Sequence, residues 1–100
     1  MSKELDITKA IEKWVEFTQQ TLDEGIQLAN HALGLLEAGR RPQVVRSWYR
    51  SAERIYWQVD TIIDMLGDFR YDGNWLRKMR RKKQHLQHLN VEVSRALRDA

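Results

Sequence analysis

Residues 42–66, PQVVRSWYRSAERIYWQVDTIIDML, contain the most regular helical pattern in the chain. They give the first predicted helix, and the helices before and after it complete the predicted fold. Their apolar residues recur at spacings of three and four, which is typical of a helix that buries one face against other helices. Counted in heptads, these residues fill positions a, d and e, the pattern of a bundle helix rather than of a two-stranded coiled coil. The stripe consists of Val45, Trp48, Ala52, Ile55, Val59, Ile62 and Leu66, with Tyr49, Tyr56 and Ile63 beside it.

One tryptophan of this helix lies outside the apolar stripe. By the rotation of about 100° per residue, Trp57 falls roughly opposite the centre of the stripe. Arg46, Arg50 and Arg54 follow one another at intervals of four residues on an outward face. We expect these four residues to contact another molecule, because packing alone does not require an indole and a row of cations there. The alternative is that the indole packs beneath the arginine stems of a solvated face.

Helical patterns also precede and follow this stretch. The predicted helices span residues 5–38, 42–66 and 74–98. Because the linker of residues 39–41 is short, the first two helices are expected to be antiparallel neighbours. The sequence therefore predicts an all-α fold, an antiparallel three-helix bundle that runs up-down-up as a single domain over residues 1–100. If the first helix breaks near Thr21, where a capping box begins, the bundle has four helices.

Residues with special backbone preferences mark the predicted helix ends. Asp6 and Asn74 are candidate N-caps of the first and third helices. Pro42 is suited to the first turn of the second helix, and Gly39 and Gly67 are suited to end the first and second helices. The predicted core contains Ile11, Val15, Leu22, Leu33, Val45, Trp48, Ile55, Val59, Ile62, Met79, Leu86, Leu89 and Val93.

The composition narrows the class of protein. The chain has 100 residues and no cysteine, so a disulfide framework and a thiolate metal site are excluded. No apolar run approaches the roughly 20 residues of a membrane span, and the first residues lack the pattern of a secretory signal. We therefore expect a cytoplasmic protein with no membrane partner.

Charge is distributed unevenly along the chain. Residues 1–39 hold seven acids against three lysines, a net charge of −4, whereas residues 40–100 hold fourteen Lys/Arg against seven acids, a net charge of +7. Six of the seven residues in the basic segment, RKMRRKK at residues 77–83, are cations. Such a distribution indicates either an anionic partner or two parts of the chain that neutralise each other on folding.

Much of the basic segment can be neutralised within an up-down-up bundle. Residues of the second and third helices lie level when their numbers sum to about 140, given the short turn near residue 70. This counting pairs Arg80 with Asp60 and places Arg77 close to Asp64. On the third helix, the level partners of the arginine row include only one acid, Glu92. The row is therefore the harder of the two groups to neutralise.

For function, the sequence favours a small non-enzymatic interaction module of the adaptor or inhibitor type. It would dock a protein partner, or a second copy of itself, through Arg46, Arg50, Arg54 and Trp57, since arginine and tryptophan dominate the energy of many interfaces. The alternative is an RNA- or DNA-binding protein that contacts phosphates with Arg77, Lys78, Arg80, Arg81, Lys82 and Lys83. We expect no cofactor, no metal and no small-molecule substrate.

A third hypothesis comes from the histidines. The spacings Arg80-x4-His85 and Arg81-x6-His88 resemble the arginine-to-histidine spacing of the helical HEPN ribonucleases, in which the pair handles the scissile phosphate. Here Arg81 and Lys82 follow the arginines, whereas a small polar residue is usual in that family. The resemblance implies phosphodiester cleavage as a minor alternative. Metal binding is not expected, because the HExxH spacing is absent.

Overall fold

The computed structural model describes residues 3–99, and the side chains of residues 7–99. Its helices are α1 (Lys3–Glu37), α2 (Pro42–Asp68) and α3 (Gly73–Asp99). Each helix packs against the other two, so the predicted all-α three-helix bundle is confirmed. Because α1 continues through Thr21, the four-helix alternative is wrong. Within the described part of the chain, no helix combines the length and the apolar character that a membrane crossing requires.

The core is built from aliphatic side chains of all three helices. Seven of the predicted core residues are buried, namely Leu22, Val45, Val59, Met79, Leu86, Leu89 and Val93. Five others are half-buried around them, namely Ile11, Val15, Leu33, Ile55 and Ile62. Ile63, at the flank of the predicted stripe, is fully buried. The buried face of α2 is therefore wide, as expected for a helix that contacts two neighbours at once.

The predicted core position of Trp48 is wrong. Trp48 is 36% exposed, and its ring meets the ring of His31 edge-on, with 4.5 Å between the centroids. The indole thus covers the edge between α1 and α2 instead of filling the interior. Heptad spacing correctly predicts the side of α2 on which Trp48 lies. It does not predict that smaller side chains, and not the indole, fill the centre of the bundle.

Gly25 is a point of close approach between α1 and its two neighbours. A Cβ atom on this residue would lie 2.7 Å from Cγ2 of Ile55 and 3.1 Å from Cδ2 of Leu86. The missing side chain therefore lets residues of α2 and α3 pack directly against the backbone of α1. Gly34 differs, since nothing lies within 4 Å of the corresponding position. The glycine at residue 25 serves packing and does not break the helix.

The C-terminus of α1 has the geometry that the sequence predicts. Gly39 adopts a φ of +76°, its N–H donates to the carbonyl of Leu36, and the N–H of Arg40 donates to the carbonyl of Leu35. These two bonds form a Schellman motif, in which a left-handed residue satisfies the last carbonyls of a helix. Glycine adopts that conformation without the strain that a Cβ would add.

The C-terminus of α2 repeats this motif with a different residue. The predicted end at Gly67 is wrong, because α2 continues to Asp68. The N–H of Arg70 donates to the carbonyl of Gly67, and the N–H of Tyr71 donates to the carbonyl of Leu66. Arg70, with a φ of 56°, takes the left-handed position. Gly67 therefore lies inside the helix, where its carbonyl is an acceptor of the motif.

The N-terminus of α3 is capped by Asp72 and not, as predicted, by Asn74. Oδ1 of Asp72 accepts the backbone N–H of Asn74 at 2.9 Å and that of Trp75 at 3.4 Å. A carboxylate is favourable here because it satisfies free N–H groups and faces the positive end of the helix dipole. The predicted cap of α1 is also wrong, since α1 already includes Lys3 and Asp6 lies within the helix.

Candidate functional site

The arginine row, consisting of Arg46, Arg50 and Arg54, lies on the exposed face of α2. Its side chains line one shallow hollow along the helix, together with Gln43, Ser47 and Ser51. No carboxylate among residues 7–99 forms a salt bridge with any of the three arginines. The structure therefore brings three of the predicted site residues together and leaves their charge without an acidic partner in the described chain.

The first arginine of the row, Arg46, lies in the second turn of α2, near the end of the helix that is unfavourable for cations. Arg41, the N-cap of α2, makes no side-chain hydrogen bond to the helix, and the first turn contains no acidic residue. Cations near a helix N-terminus are disfavoured by about 0.3–1 kcal/mol each, because that end carries partial positive charge. An anion bound from outside the chain would relieve this repulsion at Arg46.

Trp57 extends this exposed face toward the C-terminus of α2. It is 60% exposed, and the ring of Tyr56 meets it edge-on with 5.1 Å between the centroids. Phe17 of α1 is 42% exposed and lines the same hollow as Trp57, Arg54 and Ile62. We call Phe17 and Trp57 the aromatic patch. The indole is too exposed to be packed under the arginine stems.

Phe17 belongs to this surface but is not among the site residues predicted from the sequence. It directly precedes Thr18, which is fully buried, and lies about 100° from it around α1, at the edge of the buried face. The criterion that singles out Trp57, a large aromatic residue beside an apolar stripe and not in it, would have found Phe17 as well.

The basic segment of α3, residues 77–83, is partly neutralised inside the bundle. Nζ of Lys82 lies 2.8 Å from Oδ1 of Asp23 on α1. Lys83 forms a salt bridge with Asp60 on α2, and both side chains of this pair are less than one-third exposed, at 16% and 26%. The two lysines thus lie along the bundle, with their ammonium groups on acids of the neighbouring helices. Nζ of Lys83 also lies 5.9 Å from the centroid of the Tyr56 ring.

The predicted partner of Asp60 is wrong, because Asp60 pairs with Lys83 and not with Arg80. Nη2 of Arg80 lies 3.0 Å from the position that a Cβ on Gly67 would occupy, so this side chain reaches the last turn of α2. Counting residues along antiparallel helices gives the height of each side chain but not its direction around the helix. Lys83 is turned toward α2 at the height of Asp60, whereas Arg80 is turned toward the bundle end.

The remaining cations of the basic segment are exposed. Arg77 donates a hydrogen bond to Oδ1 of Asn74, one turn earlier on α3, and does not pair with Asp64 as the counting suggests. Lys78 and Arg81 form no salt bridge with any residue in the described range. Part of the segment therefore stays accessible to an anionic molecule.

The two histidines of the ribonuclease hypothesis are exposed on α3. Nε2 of His88 lies 3.0 Å from Oε1 of Glu92, one turn further along the same helix. No group of three or more His, Cys, Asp or Glu side chains in the described part of the chain could hold a metal ion.

A third hollow, of about 230 Å³, lies between α2 and α3. We call it the α2–α3 groove. Tyr56, Trp57 and Val91 give it an aromatic and apolar part, whereas Glu53 and Asn90 add polar groups to its lining. The groove therefore begins beside the aromatic patch and runs along the flank of the arginine row.

Asn90 is the unusual residue of this groove. It is only 7% exposed, and its Oδ1 atom is buried with no hydrogen-bond partner. Leaving a buried acceptor unpaired costs about 1–3 kcal/mol. The sequence carried a signal for this residue, since Asn90 takes the place of an apolar residue in the spacing of Leu86, Val93 and Leu97.

Tyr49 lies at the polar end of the groove. Burial raises the pKa of its phenol above the ordinary value, and a hydrogen bond with Glu53 raises it further, whereas a hydrogen bond with Ser94 lowers it. Tyr49 and Glu53 also line an adjoining hollow that is bounded by Arg46, Arg50 and Arg98. The groove therefore leads from exposed apolar side chains, past a buried carboxamide, to a group of guanidinium groups.

Comparison of the chain with protein-family models, with curated proteins and with solved structures gives no match.

Proposed function

We propose that the protein is a small non-enzymatic interaction module of the adaptor or inhibitor type, which docks a protein partner, or a second copy of itself, along α2. The binding face consists of Arg46, Arg50, Arg54 and Trp57, extended by Phe17. The observation that carries the proposal is a row of three exposed arginines with no acidic partner among residues 7–99. A charge arrangement that is unfavourable for the isolated helix suits a complex with an acidic segment.

The spacing of the row defines the partner's chemistry. Arginines at intervals of four residues are about 6 Å apart along the helix, so a partner helix with carboxylates at the same interval can pair with each of them. Guanidinium groups bind carboxylates through two parallel hydrogen bonds. An apolar side chain of the partner would lie between Phe17 and Trp57, both of which are exposed. The partner we propose is therefore an acidic amphipathic helix.

A second copy of the chain also has this chemistry. Glu12 and Glu24 of α1 are exposed, and neither forms a salt bridge with another described residue. In a dimer, the acidic part of one chain could face the arginine row of the other. Size-exclusion chromatography with light scattering tests this form of the proposal. A dimer that dissociates at high salt and is lost in Arg50→Glu supports it, whereas a monomer at high concentration leaves only a different protein as partner.

The docking experiment is an affinity capture from the native host, with nuclease-treated and untreated lysates. A protein that is retained after nuclease treatment and binds the purified chain directly is then titrated against variants. Arg50→Glu and Trp57→Ala should each weaken binding at least tenfold, because truncation at an interface hot spot costs about 2 kcal/mol or more. The matched controls are Arg81→Glu, an exposed arginine of α3, and Phe69→Ala, an aromatic residue that is 57% exposed at the bundle end.

The controls should change the affinity less than threefold. If Arg50→Glu and Trp57→Ala bind every direct partner as well as the wild type does, the docking face is elsewhere and the proposal fails. Equal losses in Arg50→Glu and Arg81→Glu would indicate general attraction to positive charge and not a defined face.

The alternative proposal is RNA or DNA binding through residues 77–83. It is supported by Lys78 and Arg81, which are exposed and form no salt bridge in the described part of the chain. Binding would weaken steeply with salt, because contacts with phosphates release counterions. Gel shifts at two ionic strengths test it, with Lys78→Glu and Arg81→Glu as variants. Absence of a shift at low salt would rule it out.

Phosphodiester cleavage is the minor form of this alternative. Arg80 with His85, or Arg81 with His88, would handle the scissile phosphate, as the spacing resembling HEPN ribonucleases implies. The test is the nuclease activity of the purified protein and of His85→Ala and His88→Ala. Activity that both variants retain would come from a contaminant or from other residues, and the hypothesis would fail.

The proposal also places the protein in the cytoplasm, as the cysteine-free sequence leads us to expect. Fractionation of the native host, followed by immunodetection of the chain, checks this. Recovery of most of the protein from a secreted or membrane fraction would contradict it.

A further inference from the structure

We propose that the partner docked along α2 presents a phosphorylated side chain, a phosphomonoester, to the arginine row. This inference rests on the docking proposed above and specifies the chemical group that the partner places there. The site is the shallow hollow on the outward face of α2, which we call the donor hollow. It is lined by Gln43, Arg46, Ser47, Arg50, Ser51 and Arg54.

The first argument is the chemistry of this lining. Every side chain in it can donate hydrogen bonds, from three guanidinium groups, two hydroxyl groups and one carboxamide. No carboxylate of the described residues lines the donor hollow, whereas Glu24 or Glu53 lines three other hollows beside α2. A phosphomonoester has a charge of about −1.5 to −2 at neutral pH and three acceptor oxygens. It therefore fits a lining that combines many donors with no acid.

The second argument is that these donors are available. None of the three guanidinium groups forms a salt bridge with a residue in the described range. Of the six lining side chains, only that of Ser51 forms a hydrogen bond within the described chain, from its Oγ to the carbonyl of Ser47 at 3.3 Å. This distance is long for a hydroxyl donor. An anion in the donor hollow therefore displaces water and breaks no strong contact of the bundle.

The third argument is the alternation of long and short side chains. Successive arginines of the row are separated by one turn, a rise of about 6 Å. Ser47 lies one turn before Arg50, and Ser51 lies one turn before Arg54, so each of these arginines has a hydroxyl group on the adjacent turn. A carboxylate is satisfied by the two parallel hydrogen bonds of one guanidinium group. The three oxygens of a phosphoryl group can accept from two guanidinium groups and from the hydroxyl group beside them.

A phosphodiester of RNA or DNA is a weaker match to the donor hollow. Its single negative charge is half of the full charge of a monoester, and ester groups occupy two of its four oxygens. It therefore uses fewer of the donors that the lining offers. Arg54 lines both the donor hollow and the hollow that contains Phe17 and Trp57, so a helix that fills the second with an apolar side chain can place a phosphorylated residue in the first.

The test is an NMR titration of the purified protein with N-acetyl-O-phosphoserine amide, N-acetylglutamate amide and diethyl phosphate. The phosphoserine probe should shift the side-chain N–H resonances of the arginine row and bind about fivefold more tightly than the glutamate probe, or better. Equal affinity for diethyl phosphate would point to a nucleic-acid backbone and overturn the inference. Equal affinity for the glutamate probe, or no shift at millimolar phosphoserine, would also overturn it.

Ser47→Ala separates hydrogen bonding from charge, because it removes a hydroxyl donor and leaves the arginine row intact. It should weaken binding of the phosphoserine probe about threefold and leave the affinity for the glutamate probe unchanged. The matched control is Thr61→Ala, which removes an exposed hydroxyl group of the same helix outside the donor hollow. Unchanged binding in Ser47→Ala, or equal losses in the two variants, would show that the lining does not select a phosphoryl group and would overturn the inference.

The captured partner gives a test that separates this inference from the docking on which it rests. The partner is titrated against the protein before and after treatment with a phosphatase. Dephosphorylation should weaken binding to the wild type about tenfold or more and should have no effect on binding to Arg50→Glu. If phosphatase has no effect although Arg50→Glu weakens binding, docking stands and the phosphomonoester inference fails. If neither change weakens binding, both proposals fail. A phosphatase effect that persists in Arg50→Glu would place the phosphoryl group elsewhere and overturn the inference.

Discussion

The two cationic regions of the bundle, the basic segment of α3 and the arginine row of α2, have similar residue types but different surroundings. Lys82 and Lys83 of the basic segment lie along the two neighbouring helices and meet Asp23 and Asp60. The arginine row lies on the exposed face of α2 and forms no salt bridge with an acid in the described chain. The number of cations in a stretch of sequence therefore does not indicate which of the two regions is free to bind a partner.

The difference follows from the direction of each side chain around its helix. A cation next to the buried face of a bundle helix lies over the adjacent helix, so its partner can belong to the same chain. A cation near the middle of the outward face can pair only with residues of its own helix or with another molecule. Substitutions of inward pairs should therefore change stability, whereas substitutions of outward cations should change binding.

The largest loss of stability is expected for a substitution of Gly25, where α1 closely approaches α2 and α3. Gly25→Ala should destabilise the protein by about 1–3 kcal/mol, because the new methyl group would lie 2.7 Å from Cγ2 of Ile55 and overpack the interface. The matched Gly34→Ala should stabilise by up to about 1 kcal/mol through helix propensity, since no atom lies within 4 Å. Chemical denaturation measures both, and equal effects would contradict the close approach.

The next largest loss of stability is expected for the salt bridge between Asp60 and Lys83, the less exposed of the two lysine pairs. Asp60→Asn should cost about 1–2 kcal/mol, because it leaves the ammonium group of a side chain that is only 16% exposed without its counter-charge. The double variant Asp60→Asn/Lys83→Met should recover most of this loss, since it removes the unpaired ammonium group and an apolar side chain can fill the same space on the bundle surface. Urea denaturation of the two variants gives the comparison. A larger loss for the double variant than for Asp60→Asn would show that the lysine has another role.

A smaller effect is expected at the more exposed pair of Lys82 and Asp23, whose side chains are 33% and 55% exposed. Asp23→Asn should cost less than about 0.5 kcal/mol. Melting temperatures measured at low and high salt should differ less for the variant than for the wild type, because salt screens the pair that the variant lacks. An Asp23→Asn cost equal to that of Asp60→Asn would mean that burial does not set the strength of these pairs.

The smallest effect on stability is expected in the arginine row. Arg46→Gln, Arg50→Gln and Arg54→Gln should each change the free energy of unfolding by less than about 0.5 kcal/mol, with a slight gain at Arg46 from removal of a cation near a helix N-terminus. The same variants should weaken docking. A loss of 1 kcal/mol or more in stability would show that the row has a partner within the chain and is not free for another molecule.

The helices and most of the core could be predicted from the sequence because helix packing leaves a period in the apolar residues. The positions of Trp48 and Ile63 could not, since a period identifies one side of a helix but not which residue of that side reaches the centre. Pairing of the basic segment with its neighbours was predictable from helix heights. That Asp60 pairs with Lys83 and not with Arg80 depends on the direction in which each side chain leaves α3, which helix heights do not give.

The surface around the arginine row was predictable in part. Trp57 was found because it departs from the apolar stripe, and Phe17 could have been found in the same way. The α2–α3 groove could not, because its residues are distributed over two helices whose relative rotation the sequence does not give. Asn90 can be singled out in the sequence as a polar residue at a position where the spacing predicts an apolar one. Whether its oxygen has a hydrogen-bond partner depends on the packing of both helices.

The left-handed arginine at residue 70 has a consequence for the motions of the bundle. A side chain in this conformation costs about 1–2 kcal/mol relative to the right-handed region, and the equivalent turn after α1 avoids that cost because it uses Gly39. The turn between α2 and α3 should therefore open more often than the turn between α1 and α2, and its backbone amides should exchange with deuterium first. The ends of α2 and α3 that meet there would then separate transiently while the opposite end of the molecule, which holds Arg46 and Arg98, keeps its shape.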